Sequence, residues 1–249
     1  SCRFKHNHTS HDGGAILHNM GSLDVVNSVF YNNTAELHGG ALLVNDSSVH
    51  LTNCTLVENS AWDSGGAIEA NDCLLTLANS IVWDNTAPTA PDVRPRFETD
   101  FYPEYSCLSG TVFTGPGVIY TDPLFVDQAG GDLQLQAGSP CIDTSSPYNP
   151  TDDIENHPRD ANVDMGAYEY QGMGGPTGDD SNQNPDTGPN AADDDDVVYA
   201  ADNGDGGCRM ANADADGAGW LLPLAGVLLL LAAHRRRQQN RCTKQPAGR

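Results

Sequence analysis

The sequence predicts an all-β fold, a parallel β-helix in which one 26-residue repeat makes one coil. Three observations support this prediction. Gly-Gly-Ala recurs without a gap, starting at Gly13, Gly39 and Gly65. The segments between these glycines are short, alternating and rich in β-branched residues, without helical periodicity. Two aliphatic columns recur with the same period: Ile16, Leu42 and Ile68, then Leu23, Val49 and Leu75.

Each repeat is predicted to form three short strands and three corners. Glycine and asparagine tolerate the left-handed backbone that tight corners require. Consecutive coils lie about 4.8 Å apart, so equivalent side chains stack on one another. We therefore expect a corner ladder of Asn33, Asn59 and Asn85, a second corner at the repeated glycines, and the aliphatic columns inside.

The GGAI element at residues 13–16 and the F-x-x-N element at residues 30–33 carry a family resemblance. They resemble the right-handed parallel β-helix repeats of polymorphic outer-membrane proteins. The resemblance implies a right-handed helix with a structural role at a cell surface, and it brings no catalytic residues.

The chain is strongly acidic, with a net charge of −22, and its few bases are unevenly placed. Six of the twelve Lys and Arg residues follow residue 233, where no acid occurs. The acidic remainder argues against nucleic-acid binding, which requires clustered bases. Because the chain begins inside a repeat, we expect it to be the C-terminal part of a longer exported protein.

The seven cysteines form neither C-x-x-C nor a zinc-binding spacing. Cys54 shares a small, inward-facing column with Cys2 and Ser28. Cys2 and Cys54 lie two coils apart, about 9.6 Å, which is too far for a disulfide. We expect both to be buried thiols. A Cys107–Cys141 disulfide is the alternative pairing in an oxidising compartment.

Residues 86–106 do not follow the 26-residue period of the repeat. They contain four prolines, and a proline cannot donate to a strand ladder. We expect an irregular insertion, within a β-helix unit at 1–121, whose aromatics cover the flank of the helix; a binding loop is the alternative. The residues concerned are Pro88, Pro91, Pro95, Pro103, Phe97, Phe101, Tyr102 and Tyr105.

Residues 122–170 carry the elements DPLF, LQL, GSPCID and VDMGAYE. They resemble the end module of choice-of-anchor Q proteins, which follows β-helix repeats and precedes an anchor. We expect a cap over the open end of the last coil. Its apolar candidates are Leu124, Phe125, Leu133, Leu135, Ile142, Met165 and Tyr168, and its expected charged network is Asp153, Arg159, Asp164 and Glu169.

The C-terminal part of the sequence is typical of a membrane anchor. Residues 171–217 are predicted to be a disordered acidic linker, 218–233 a short apolar helix, and 234–249 a basic cytoplasmic tail. Cys208, the apolar segment and the arginines resemble bacterial MYXO-CTERM sorting tails, which implies cleavage near Cys208 after a temporary span. A permanent single-pass anchor and a buried helix are the alternatives. The basic cluster is Arg235, Arg236 and Arg237.

No catalytic or cofactor-binding residue is predicted in this segment. Two carboxylate pairs on adjacent coils are weak calcium candidates beside the simpler interpretation of a solvated acidic face. No Lys or Arg lies between Lys5 and Arg94, so the coils lack a cation that could stabilise the negative charge that develops in a transition state. The calcium candidates are Asp46 with Asp72 and Glu58 with Asp84.

These patterns predict a surface-displayed, membrane-anchored β-helix protein with a structural, adhesive or glycan-contacting role. Its expected partners are the membrane and an extracellular polysaccharide or another surface protein, at the cell surface or outer membrane. The alternative is the C-terminal part of a secreted polysaccharide lyase or glycoside hydrolase whose active coils lie upstream.

Overall fold

The structure is a computed structural model, which describes residues 1–146 and 150–172. These residues include a parallel β-solenoid of about four turns, which confirms the predicted repeat fold. The strands are β1 (Arg3–Lys5), β2 (His8–Thr9), β3 (Ile16–Val26), β4 (Val29–Tyr31), β5 (Thr34–Ala35), β6 (Leu42–Thr52), β7 (Thr55–Val57), β8 (Ser60–Ala61), β9 (Ile68–Asn71), β10 (Leu74–Ala78), β11 (Ile81–Trp83), β12 (Val93–Arg96), β13 (Asp100–Glu104), β14 (Cys107–Leu108), β15 (Phe125–Asp127) and β16 (Asp132–Leu135).

Three parallel sheets run along the solenoid. Their orders are β1-β4-β7-β11-β14, then β2-β5-β8, then β12-β9-β6-β10-β13 with β3 also paired to β6. Register follows the 26-residue period, because Phe4 pairs with Phe30 and Leu23 with Val49. The Phe4 and Phe30 rings stack with centroids 4.8 Å apart. The aliphatic columns face inward, and Leu42, Ile68 and Val49 are fully buried.

The corners repeat one local device. A residue with a left-handed backbone is followed by a small polar side chain that bonds back to a main-chain carbonyl. Asn79, with φ 52°, is followed by Ser80, whose hydroxyl donates to the Ala78 carbonyl at 2.7 Å. Each coil has a fourth left-handed residue, such as Asp46 within β6, which makes a bend in addition to the three predicted corners.

The corner asparagines form a continuous buried ladder. The Asn33 side-chain amide donates to Asn59 Oδ1 at 2.8 Å, and the Asn59 amide donates to Asn85 Oδ1 at 2.9 Å. The Asn85 amide donates in turn to Asp92 Oδ1 at 3.1 Å. Asp92 also accepts from the main chain of Ser109, so it ends the ladder where the asparagine column stops.

Residues 86–106 do not leave the solenoid; they form its next coil. Strand β12 pairs with β9, and β13 pairs with β10 over five residues. Pro95 and Pro103 are compatible with this pairing because both lie in edge strands, where one row of N–H groups is not needed. Phe101 continues the inner column below Leu75, and the Phe113 ring packs edge-on against it at 4.8 Å.

Residues 122–146 and 150–170, called here the lateral segment, lie against the side of the solenoid rather than over its end. They cover the outward side chains of β4, β7, β11 and β14. Leu124 does not take part, since it is 39% exposed. The apolar residues that form this second core are Val29, Tyr31, Val57, Ile81, Cys107, Phe125, Leu133, Leu135, Cys141, Ile154, Met165, Ala167 and Tyr168.

A buried charged network holds the lateral segment together. Arg159 Nη1 lies 2.9 Å from Glu169 Oε2, and both side chains are almost fully buried. The same carboxylate accepts from the Asp164 main chain at 3.1 Å. Asp153 accepts from the Glu169 main chain at 3.1 Å. The four charged residues therefore stabilise the loops among which they lie.

Cysteine placement differs in part from the expectation. Cys54 is a buried free thiol, but Cys2 is disulfide-bonded, so the prediction of a thiol at Cys2 was wrong. Cys107 and Cys141 are free thiols in contact. The predicted apolar helix, the basic tail, Cys208 and the arginine cluster from Arg235 to Arg237 lie outside the described residues.

Candidate functional site

A buried carboxylate, Glu69, organises a polar cluster that joins three coils of the solenoid. Glu69 lies on β9 in the outward column that contains Leu43 before it and Arg94 after it. The chain turns sharply at Gly65, with φ 63°. A Cβ atom at Gly65 would lie 2.9 Å from the Glu69 Cβ, so glycine permits this close approach.

Hydroxyl and guanidinium groups satisfy the Glu69 carboxylate. The Ser64 hydroxyl donates a short hydrogen bond to Oε2. Arg96 Nη1 donates to Oε1 at 3.0 Å, and Arg94 Nη1 lies 3.8 Å from Oε2. The Glu69 side chain has no exposed surface, whereas the arginine side chains are 26% and 34% exposed. A buried carboxylate requires such compensation, since unpaired burial of a charge is costly.

His38 extends the cluster to the preceding coil. Its Nδ1 lies 2.9 Å from Ser64 Oγ and 3.4 Å from Asp63 Oδ2. Because the Ser64 proton is directed to Glu69, the Ser64 oxygen accepts from His38 Nδ1–H; this tautomer is assigned from the hydrogen-bond network. His38 is therefore a donor here and does not act as a base toward Ser64.

This arrangement does not suit nucleophilic catalysis. A nucleophile must reach substrate and must give its proton to a base. Ser64 is fully buried, and its proton is held by a carboxylate that is itself sealed from solvent. The cluster instead joins three coils through His38, Glu69 and the two arginines, and it presents the guanidinium groups outward.

Amides and an aromatic ring continue the polar surface beside the cluster. The Asn71 amide donates to Asn45 Oδ1 at 2.8 Å, and the Asn45 amide donates to Asn19 Oδ1 at 2.7 Å. Arg96 follows Asn71 in this column, and its guanidinium lies 4.8 Å from the centroid of the Phe97 ring. Phe97 is 70% exposed. We call Asn19, Asn45, Asn71, Arg96 and Phe97 the amide–arginine strip.

Sequence reasoning missed Arg94 and Arg96 as members of a site. The prediction that the coils lack a cation was wrong, because the fourth coil places both arginines against Glu69 of the third. The sequence does contain a pattern that indicates the fourth coil, because an offset of 25 residues aligns Val93 with Ile68 and Arg94 with Glu69. Because residues 86–106 were interpreted as an insertion, they were not aligned with the preceding repeat.

The calcium candidates lie at left-handed corners, and one pair is already bridged. Gln128 Nε2 donates to Glu58 Oε1 at 3.0 Å and to Asp84 Oδ2 at 2.9 Å. Asp72 Oδ1 accepts from the Glu98 main chain at 3.4 Å. Within residues 1–146 and 150–172, no group of three or more His, Cys, Asp or Glu side chains is arranged to hold a metal ion.

Comparison of the chain with protein-family models, curated proteins and solved structures gives no significant match. The repeat fold therefore rests on the structure itself. The resemblances to choice-of-anchor modules and to MYXO-CTERM tails remain predictions from sequence.

Proposed function

We propose that this chain is a displayed β-solenoid whose amide–arginine strip contacts extracellular polysaccharide without cleaving it. The observation that carries the proposal is the combination of an exposed aromatic ring, a guanidinium that is one-third exposed and a column of stacked amides beside them. Amides and guanidinium groups bond to sugar hydroxyls, and an aromatic ring packs against the apolar face of a sugar.

Rigidity supports this proposal. The strip residues lie on strands or at their ends, held by parallel ladders on both sides of the third coil. Arg96 is fixed further by its bond to the buried Glu69. A pre-organised surface loses less conformational entropy when it binds an extended chain.

The burial of Glu69 distinguishes this surface from that of a polysaccharide-cleaving enzyme. A glycosidase needs two carboxyl groups that face the sugar about 5–10 Å apart. The carboxylate that binds Arg96 of the strip, Glu69, is sealed beneath Arg94 and Arg96. We therefore expect binding without release of sugar fragments from this segment.

Anchoring belongs to the proposal as well. The acidic linker, the apolar stretch and the arginine cluster from Arg235 to Arg237 are consistent with export, a temporary span and processing near Cys208. In residues 1–146 and 150–172 no helix is long and apolar enough to cross a membrane. The anchor proposal therefore rests on sequence.

The test is affinity electrophoresis of the full chain through gels that contain a neutral β-linked glucan or a uronate polymer. The Phe97→Asn variant removes the exposed ring and places asparagine at a position with φ 55°, where asparagine is well tolerated. We expect its apparent affinity to fall about three- to tenfold, the contribution of one aromatic contact.

Trp62→Ala is the matched control, because Trp62 is another large aromatic, 63% exposed, outside the strip. It should bind as the unmodified chain does. Equal loss of binding in both variants, or no retardation in either gel, would contradict the proposal. Release of new reducing ends, lost on Glu69→Gln, would favour the enzyme instead.

A further inference from the structure

The free cysteines in the described part of the chain are of two kinds. Cys54 and Cys73 each follow a left-handed corner residue, where other coils have serine. Their thiols donate to main-chain carbonyls two residues back, Cys54 to Thr52 at 3.4 Å and Cys73 to Asn71 at 3.0 Å. These thiols substitute for hydroxyl groups in a structural hydrogen bond.

Cys107 and Cys141 have a different arrangement. Cys107 lies on β14 in the outward column below Ile81, where it faces the lateral segment. Cys141 belongs to that segment, and its thiol is a direct neighbour of the Cys107 thiol. Both residues are fully buried in the same apolar cluster. The fold thus brings two thiols together, one on a strand and one on the loop that covers that strand.

The loop that carries Cys141 is held in place from both sides. The Cys141 main-chain N–H donates to Ser139 Oγ at 3.1 Å. The Cys141 carbonyl accepts from the Met165 main chain at 2.9 Å. The Cys107 thiol also donates to the Thr121 carbonyl at 3.2 Å. These bonds keep the two sulfur atoms together whenever the lateral segment is docked.

We propose that Cys107 and Cys141 are a modification site, a dithiol that oxidises to a disulfide joining the lateral segment to the fourth coil. The oxidant is a small or protein disulfide. One cysteine thiolate attacks it to give a mixed disulfide and release one thiol. The second cysteine then displaces the carrier as its second thiol, so two electrons and two protons pass to the carrier.

Burial determines when this exchange takes place. The hydrogen bond to Cys141 and removal from water raise the pKa of Cys107, which suppresses the reactive thiolate in the docked state. The bond therefore forms while the segment is folding onto the solenoid. It closes a loop of about 35 residues, which restricts the unfolded chain and stabilises the folded one.

The experiment refolds the full chain with reduced and oxidised glutathione, blocks free thiols and cleaves on the amino side of aspartate. Cleavage at Asp122, Asp127 and Asp132 separates the two cysteines, so only a disulfide keeps their peptides together. We expect that linked peptide pair in the mass spectrum. The Tm of this product should exceed that of the chain refolded with a reductant by about 5–10 °C.

Variants assign the effect to this pair. Cys107→Ser should lose both the linked peptides and the rise in Tm, whereas Cys54→Ser should keep them. Free Cys107 and Cys141 after oxidative refolding, or linkage of either one to another cysteine, would overturn the proposal. The mass spectrum of the unmodified chain decides this even where a variant does not fold.

Discussion

At the scale of single residues, the corners depend on side chains that tolerate a left-handed backbone and on neighbours that satisfy the turn. Asn59 shows the second role. Its amide donates to the Phe30 carbonyl at 2.9 Å as well as to Asn85, and its oxygen accepts from the Asn33 main chain at 3.0 Å. Asn59 is fully buried, so each of these groups would lack water if its partner were removed.

The buried ladder predicts a large stability difference between two asparagines. Asn59→Ala leaves several buried donors and acceptors without partners, and we expect it to lower the free energy of unfolding by about 3–5 kcal/mol. Asn45→Ala removes an equally stacked amide from the half-exposed outer column, where water replaces it, and should cost less than about 1 kcal/mol. Urea denaturation of both variants measures the difference.

Equal costs for the two asparagine variants would show that stacking itself, rather than burial of the bonded groups, stabilises the corner. The slope of the unfolding free energy against urea should stay unchanged in both variants, because neither alters the surface exposed on unfolding.

At the scale of elements, the lateral segment is bonded to the same corner column on three successive coils. Asn27 donates to the Asp152 carbonyl at 2.5 Å, and Asn53 donates to the Asp164 carbonyl at 3.3 Å. Asn79 Oδ1 accepts from the Ser146 main chain at 2.8 Å. Because this corner repeats, its asparagines form a regular row along the solenoid. The lateral segment forms a hydrogen bond with one asparagine of each of these three coils.

Buried carboxyl groups within this segment link its stability to pH. Burial raises the pKa of Asp164 to about 7, with a further contribution from Glu169 and Asp143. Burial also raises the pKa of Glu169, although Arg159 opposes that shift. Between the unfolded pKa near 4 and the folded pKa, the folded state retains a proton that the unfolded state has lost. Stability therefore falls as the pH rises through this window.

The prediction is a decrease in the free energy of unfolding between pH 5 and pH 8 that depends on Asp164. Its contribution is at most about 4 kcal/mol, from the size of the pKa shift. Asp164→Asn cannot titrate and should flatten the profile, measured by chemical denaturation at each pH. Asp132→Asn, at an exposed position, should keep the profile of the unmodified chain. A profile that rises with pH, or one that Asp164→Asn leaves unchanged, would show that Asp164 is ionised in the folded protein.

At the scale of the whole molecule, the regular part of the fold was predictable and the departures from regularity were not. A strict 26-residue period determines register, so the inward columns could be inferred from sequence. The fourth coil could not, because its offset changes from 25 residues at Arg96 to 26 at Phe101. Prolines in edge strands obscured the remaining strand pattern.

The candidate site was less predictable than the fold for a related reason. Glu69 and Arg94 are neighbours only if the fourth coil is recognised. The position of the lateral segment was missed because an apolar cap over an end and an apolar cover over a side have the same composition. Only contacts with outward residues such as Tyr31 and Ile81 distinguish the two.

A chain with a net charge of −22 could bind calcium at its carboxylates, but the lateral segment already occupies one candidate pair. Gln128 already bridges Glu58 and Asp84, so this pair has a neutral donor in the place that a cation would take. We expect 1 mM calcium, compared with excess chelator, to change the Tm by less than about 2 °C, since only binding to the folded state stabilises it. Gln128→Glu places a third carboxylate at the same point, and its Tm should become calcium-dependent. A large calcium effect on the unmodified chain that Glu58→Gln abolishes would establish this pair as a calcium site.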